Sequence, residues 1–177
     1  MSGHNKWSQI KRQKGAEDVK KSQLFSILAR AITMEAKRAN GDRNVAGLKT
    51  AIEKARAENL PNENIERAIK NALGAEANEL TEVLYECYGP GGVAIIIEGI
   101  TDNKNRTAQE IKHLLSEHGT TLATPGAVVW NFEKINNDWR TKNTIALTPN
   151  DLQKLNTLFD ALNALADVKQ IYNNCRR

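Results

Sequence analysis

Residues 83 to 98 place the tightest constraint on the fold. Val83 to Tyr88 and Val93 to Glu98 are β-branched or aromatic runs, and Gly89-Pro90-Gly91-Gly92 stands between them. No helix passes through that tetrapeptide, because Pro90 lacks an N–H and glycine adopts left-handed backbone freely. The chain must reverse there, and the two runs are expected to pair as an antiparallel hairpin. Backbone amides of the turn could also touch a phosphate, but they open no helix whose dipole would aim them.

The rest of the C-terminal half extends this sheet. Thr107 leads Ala108-Gln109-Glu110 at capping-box spacing into a helix with Ile111, Leu114 and Leu115 inward, ending at Gly119. Ala127 to Glu133 alternates Val128, Trp130 and Phe132 as a strand, and Thr144 to Leu147 reads as a short one. Thr148-Pro149-Asn150-Asp151 opens a helix bearing Leu152, Leu155, Leu158, Phe159, Leu162 and Leu165, and Val168 to Tyr172 reads as a final strand. The expected order is ββαββαβ, an α+β sheet domain with its helices on one face and the last strand pairing back.

The N-terminal half has helical periodicity instead. Leu24, Ile27, Leu28, Ala31 and Ile32 follow Ser22 as a possible cap and stop at Asn40-Gly41-Asp42. Val45, Leu48, Ile52 and Ala55 follow Asn44 as a second possible cap. Pro61 begins a third helix with Ile65, Ala68, Ile69, Ala72 and Leu73, closed by Gly74. The expected domains are a basic arm at 1–21, a three-helix bundle at 22–74, an acidic linker at 75–82 and an α/β domain at 83–177.

Charge separates these halves. Residues 1–74 hold fifteen Lys/Arg against eight Asp/Glu, a net +7, whereas residues 75–177 hold ten against thirteen, a net −3. Within the arm, Lys6, Lys11, Arg12, Lys14, Lys20 and Lys21 stand around one aromatic, Trp7, with His4 beside them. A basic segment with an interleaved aromatic suits contact with a phosphate backbone, Trp7 either stacking on a base or anchoring the arm to its own domain. A solvated terminus is the alternative reading. A second candidate is the polar stretch Thr101-Asp102-Asn103-Lys104-Asn105-Arg106-Thr107, which leads from a strand to a helix N-terminus. Lys104, Asn105 and Arg106 there suit phosphate binding, and Asn and Asp as turn formers supply the competing reading.

Several classes of function find no support. With 40% hydrophobic and 26% charged residues in 177, the chain suits one ordinary domain or two small ones, and no apolar run is long enough to span a membrane. A soluble cytoplasmic protein without a membrane partner is expected, with Cys87 and Cys175 as thiols. His113 and His118 are five residues apart and do not share a helix face, so no metal site is expected. No nucleophile elbow, P-loop or Cys-x-x-Cys occurs, so neither an enzyme nor a cofactor or small-molecule substrate is indicated.

Several sequence words then carry a resemblance. Ser2-Gly3-His4-Asn5-Lys6-Trp7, Ile10-Lys11-Arg12, Leu60-Pro61, and Ile65 to Lys70 come in order. Tyr88 to Ala94, Thr101 to Thr107, His118-Gly119, Gly126 to Glu133 and Ala166 to Asn174 follow. Together they resemble the YebC family. The resemblance implies a helical first domain, an α/β second domain and a third domain inserted into the second. Here only Ile135 to Asn143 occupy the insertion point, so a short variant lacking the third domain is expected, with Asn136-Asn137-Asp138 as a turn. The resemblance also implies a non-enzymatic regulator of gene expression that binds nucleic acid. Family members are described as DNA-binding transcriptional regulators or as translation factors acting on ribosomes, including at proline-rich stalls. No base-reading helix is evident, which favours ribosomal RNA and the ribosome over DNA. A DNA-binding regulator and a protein-interaction adaptor remain the alternatives.

Overall fold

The computed structural model describes residues 4–74, 80–135 and 138–176, with side chains from Lys21 onward. The side chains of His4, Lys6, Trp7, Lys11, Arg12, Lys14 and Lys20, most of the expected linker, and Asn136 and Asn137 of the expected Asn136-Asn137-Asp138 turn lie outside the described residues, whereas Asp138 begins a strand. The chain divides into two compact units, Met1–Asn78 and Glu79–Arg177.

In the first unit, helix α1 runs unbroken over His4–Arg38. Ser22 therefore sits inside a helix and caps nothing, and the expected separate arm is backbone-continuous with the bundle. The Lys, Gln, Ala and Glu residues before Ser22 are good helix formers, and their summed preference outweighs one capping signal. The helix stops where expected, with Asn40 and Gly41 at positive φ and the Gly41 N–H returning to Ala36 O at 2.9 Å. Helix α2 covers Ala46–Ala57 and α3 covers Asn62–Leu73. Asn44 does not cap α2, since its backbone N–H and its side-chain amide both donate to Asp42 Oδ1, at 2.9 and 3.1 Å.

Leu28, Ile32 and Ala36 of α1 pack with Leu48, Ile52 and Ala55 of α2 and Ile65, Ala68, Ile69 and Ala72 of α3 into one core. Val45 and Leu73, expected inward, are exposed because each lies at the outermost end of its apolar stripe.

In the second unit, β1 (Thr81–Tyr88) and β2 (Ala94–Thr101) form the expected antiparallel hairpin, in the register Val83↔Gly99 and Tyr88↔Ala94. Strand β5 (Val168–Asn173) pairs antiparallel with the other edge of β2, making a three-stranded sheet in the order β1-β2-β5. Being central, β2 is buried on both faces. Val93, Ile95 and Ile97 meet Ile111 and Leu115 of α4 (Lys104–Glu117) and Leu155, Leu158 and Leu162 of α5 (Pro149–Asn163). Ala94 and Ile96 meet Val128 and Phe132 on the opposite face. Both helices thus cover one face, and Leu152, in the first turn of α5, stays exposed. Gly99 is required where it stands, since a Cβ there would lie 2.6 Å from Asp167 O.

The opposite face is covered by a separate hairpin of β3 (Phe132–Ile135) and β4 (Asp138–Thr141). Only residues 136 and 137 separate these strands. The expected strand over 127–133 begins only at Phe132, because Val129–Asn131 forms a 3-10 turn. The expected strand over 144–147 is reduced to one bridge, Ile145 to Cys175. Among the described residues no helix is long and apolar enough to cross a membrane.

Candidate nucleic-acid interface

Small residues make a groove between α1 and α3. Ala29 and Ala68 let the helices approach, and Thr33 Oγ1 lies 3.0 Å from Ala29 O and 3.2 Å from Ala68 O, a polar stitch between the two helices. Beside this contact opens a shallow cavity of about 570 Å³. Its described lining includes Lys21, Arg30 and Arg67, with Ser22, Ser26, Asn64 and Asn71, and no acidic side chain. Lys21 Nζ stands 5.6 Å over the Phe25 ring, a cation–π contact that holds both at the rim. The Arg67 guanidinium donates to Asn64 Oδ1, which orients it along the groove. Nearby Glu66 is neutralised by Arg43 at 2.5 Å; this hydrogen bond lowers the Glu66 pKa and raises that of Arg43.

Of the sequence-predicted residues, Lys21 lies at this groove. The side chains of the other arm residues, His4, Lys6, Trp7, Lys11, Arg12, Lys14 and Lys20, lie outside the described residues.

The second predicted cluster has a different structure. Thr101 to Thr107 is not a loop before a helix, and Thr107 is not its cap. Asn103 caps α4, its Oδ1 accepting from Arg106 N at 3.1 Å, and Lys104, Asn105 and Arg106 form the first turn. Thr107 is buried, its Oγ1 lying 2.6 Å from Asp167 Oδ2, and Thr101 Oγ1 meets the same oxygen at 3.0 Å. The Arg106 guanidinium binds Asp167 and Asp102, both at 2.8 Å, and these hydrogen bonds raise its pKa. Arg106 is thus committed to carboxylates that tie α4 to the α5–β5 connection, while Lys104 and Asn105 remain exposed.

Sequence reasoning missed Arg30, Asn64, Arg67 and Asn71, which border the apolar stripes of α1 and α3 and come together only when those helices pack. It also missed Glu86, a buried carboxylate that accepts backbone N–H groups from Gly126 at 2.7 Å, Val128 at 2.6 Å and Val129 at 2.9 Å.

A three-helix unit with a cationic groove, followed in the chain by a three-stranded α+β unit, is the class of protein that this fold and site define. Profiles described as the TACO1/YebC protein N-terminal domain and the TACO1/YebC second and third domain match residues 5–75 and 80–137, in chain order. The chain belongs to the TACO1/YebC family. It is 54% identical over 136 residues to a protein of Petrotoga mobilis, covering 76% of this chain and 54% of that one. It is 56% identical over 136 residues to one of Pseudothermotoga lettingae, with the same coverage. Both relatives carry the name "Probable transcriptional regulatory protein". The chain spans about half the length of these curated relatives, 54% in each case. A crystal structure of a conserved hypothetical protein from Aquifex aeolicus superposes with a TM-score of 0.80 at 28% identity, covering 88% of this chain and 90% of that one.

Proposed function

We propose that this chain is a non-enzymatic, nucleic-acid-binding regulator of gene expression that works on structured RNA, with the ribosome as its partner. One observation carries the proposal: among the described residues a groove of the helical unit is lined by three cations and no carboxylate, on a stretch of net +7. Such a surface attracts phosphates without reading bases. Lys21, Arg30 and Arg67 would contact backbone phosphates, and the basic arm before Lys21, with Lys6, Lys11, Arg12, Lys14 and Lys20 around Trp7, would extend the contact. Lys104 and Asn105 are secondary contacts, and Arg106 serves the fold of its own unit.

A second reading, a DNA-binding transcriptional regulator, is favoured by the names of the curated relatives. Sucrose-gradient sedimentation with ribosomes, with and without nuclease, beside a DNA shift assay at matched salt, separates the two. The RNA reading expects nuclease-sensitive cosedimentation that Lys21→Glu with Arg67→Glu abolishes. Retention on duplex DNA without ribosome binding would overturn it. Because the chain spans half of its relatives, a proline-run translation reporter tests whether it also relieves stalls. Binding without rescue would mark a shortened factor that occupies the site and lacks the activity.

A further inference from the structure

The second unit carries an aromatic feature that the cationic groove does not explain. Tyr88 and Trp130 are 42% and 57% exposed, among the few large apolar side chains so exposed in this unit. Both have their polar atoms tied to one acceptor: Tyr88 Oη donates to Ala127 O at 2.6 Å and Trp130 Nε1 to the same oxygen at 2.8 Å. Two rings far apart in sequence are thereby held beside one carbonyl, and what they still show to solvent is mainly ring carbon.

Three glycine turns meet at Tyr88. Gly89 follows it directly and begins the turn containing Gly92, whose N–H donates to Gly89 O at 3.1 Å. Thr120, next to Gly119, donates its hydroxyl to Tyr88 O. Gly126 precedes the Ala127 carbonyl that anchors both rings. Gly92, Gly119 and Gly126 all have positive φ, and a Cβ on any of them would meet nothing within 4 Å. At these three glycines the backbone is therefore open to solvent. Exposed Lys142 is next door, its backbone N–H donating to Asn131 O at 2.8 Å.

We propose that Tyr88 and Trp130 form a stacking platform for an unpaired nucleobase of a single-stranded segment. Their chemistry favours a base over a proline-rich peptide. Aromatic grooves for polyproline use ring N–H and O–H groups as donors to the ligand, and here both are occupied by Ala127 O. Stacking needs only the ring faces and tolerates any base. The net −3 of residues 75–177 also argues that the base, and not a run of phosphates, is what this unit holds. The inference rests on the reading that the chain meets nucleic acid, but on none of the bundle's cations.

The test uses the full chain with a labelled oligoadenylate and an abasic strand of equal length, at salt high enough to suppress phosphate contacts. The parent protein should prefer the strand with bases. Trp130→Ala should lower that preference by roughly 5- to 150-fold, the range for loss of one base–aromatic stack. Trp130→Phe, which keeps a ring and loses the N–H, should retain most of it. Lys21→Glu with Arg67→Glu should leave the ratio between the two strands unchanged. Equal binding of the two strands by the parent, or binding of neither at this salt, overturns the platform alone, and binding of neither at low salt as well overturns it together with the nucleic-acid reading. A proline-run peptide whose binding requires Trp130, with strand preference unaffected by Trp130→Ala, overturns the base in favour of the peptide.

Discussion

Glu86→Ala should be far more damaging than a glutamate on an edge strand would suggest. The side chain is 4% exposed, and its two oxygens accept three backbone N–H groups from 126–129. A hydrogen bond to a charged acceptor contributes about 1.5–3 kcal/mol, and a buried donor left alone costs about 1–3 kcal/mol. Water can replace the carboxylate at Gly126, where the backbone is open, and in part at half-buried Val129. It cannot at buried Val128. Counting that amide in full and the others at a fraction gives a loss of about 2–4 kcal/mol. For a unit of this size, each kcal/mol moves the melting temperature by about 4–8 °C, so a fall of roughly 10–25 °C is expected. Near-ultraviolet circular dichroism would follow it through Trp130 and Trp139. Glu86→Gln, keeping one acceptor oxygen, should fall less, and limited proteolysis of Glu86→Ala should cut first within 124–129. A Glu86→Ala protein melting within about 4 °C of the parent would refute the argument, since it would mean these amides lose less than about 1 kcal/mol.

Three further outcomes are expected. Charge reversal at Lys6, Lys11, Arg12 and Lys14 should lower the slope of log K against log salt on duplex, by roughly three to four units where all four touch phosphates, measured by anisotropy titration, and an unchanged slope would move the phosphate contacts elsewhere. Burial pushes the Cys87 thiol up to about 12, so at pH 8 a disulfide reagent should titrate one thiol per native chain, the half-exposed Cys175, and reach Cys87 only on unfolding. Because that pKa is raised, the associated stability is fully present below the usual thiol range and is lost as pH rises toward about 12, which an alkaline denaturation curve should register. Residues 80–177 expressed alone should melt cooperatively and lack salt-dependent affinity for duplex; failure to fold would deny the independence of the second unit.

Much of the fold was legible because it depends on neighbours in sequence. The β1–β2 hairpin, the Asn40-Gly41 stop and the Thr148-Pro149 start of α5, where Thr148 Oγ1 accepts from Asp151 N at 3.2 Å, each follow from a few adjacent residues. Errors arose where a distant side chain competed with a local signal. Glu86 takes the amides that a strand over 127–131 would have used, and Asp167 draws in Thr101, Arg106 and Thr107, which had read as an open polar loop. Asp42 likewise takes the side chain that would have capped α2. The charge map was legible because adding charges requires no geometry, but the groove was not.

What the sequence by itself determined is the helical first half and α+β second half, most of the helices, the β1–β2 hairpin and the last strand, the division of charge between the halves and the family words, all of which depend on periodicity, turn chemistry and composition. What only the tertiary structure decided is which of those residues meet. Arg30 and Arg67 face one groove because Ala29 and Ala68 let α1 and α3 approach, and Tyr88 and Trp130 share one carbonyl because a buried carboxylate 40 residues from Gly126 holds the intervening turn. Such contacts cross long chain separations, and their partners are chosen by packing and by the need to satisfy every buried polar group, neither of which is written in any short window.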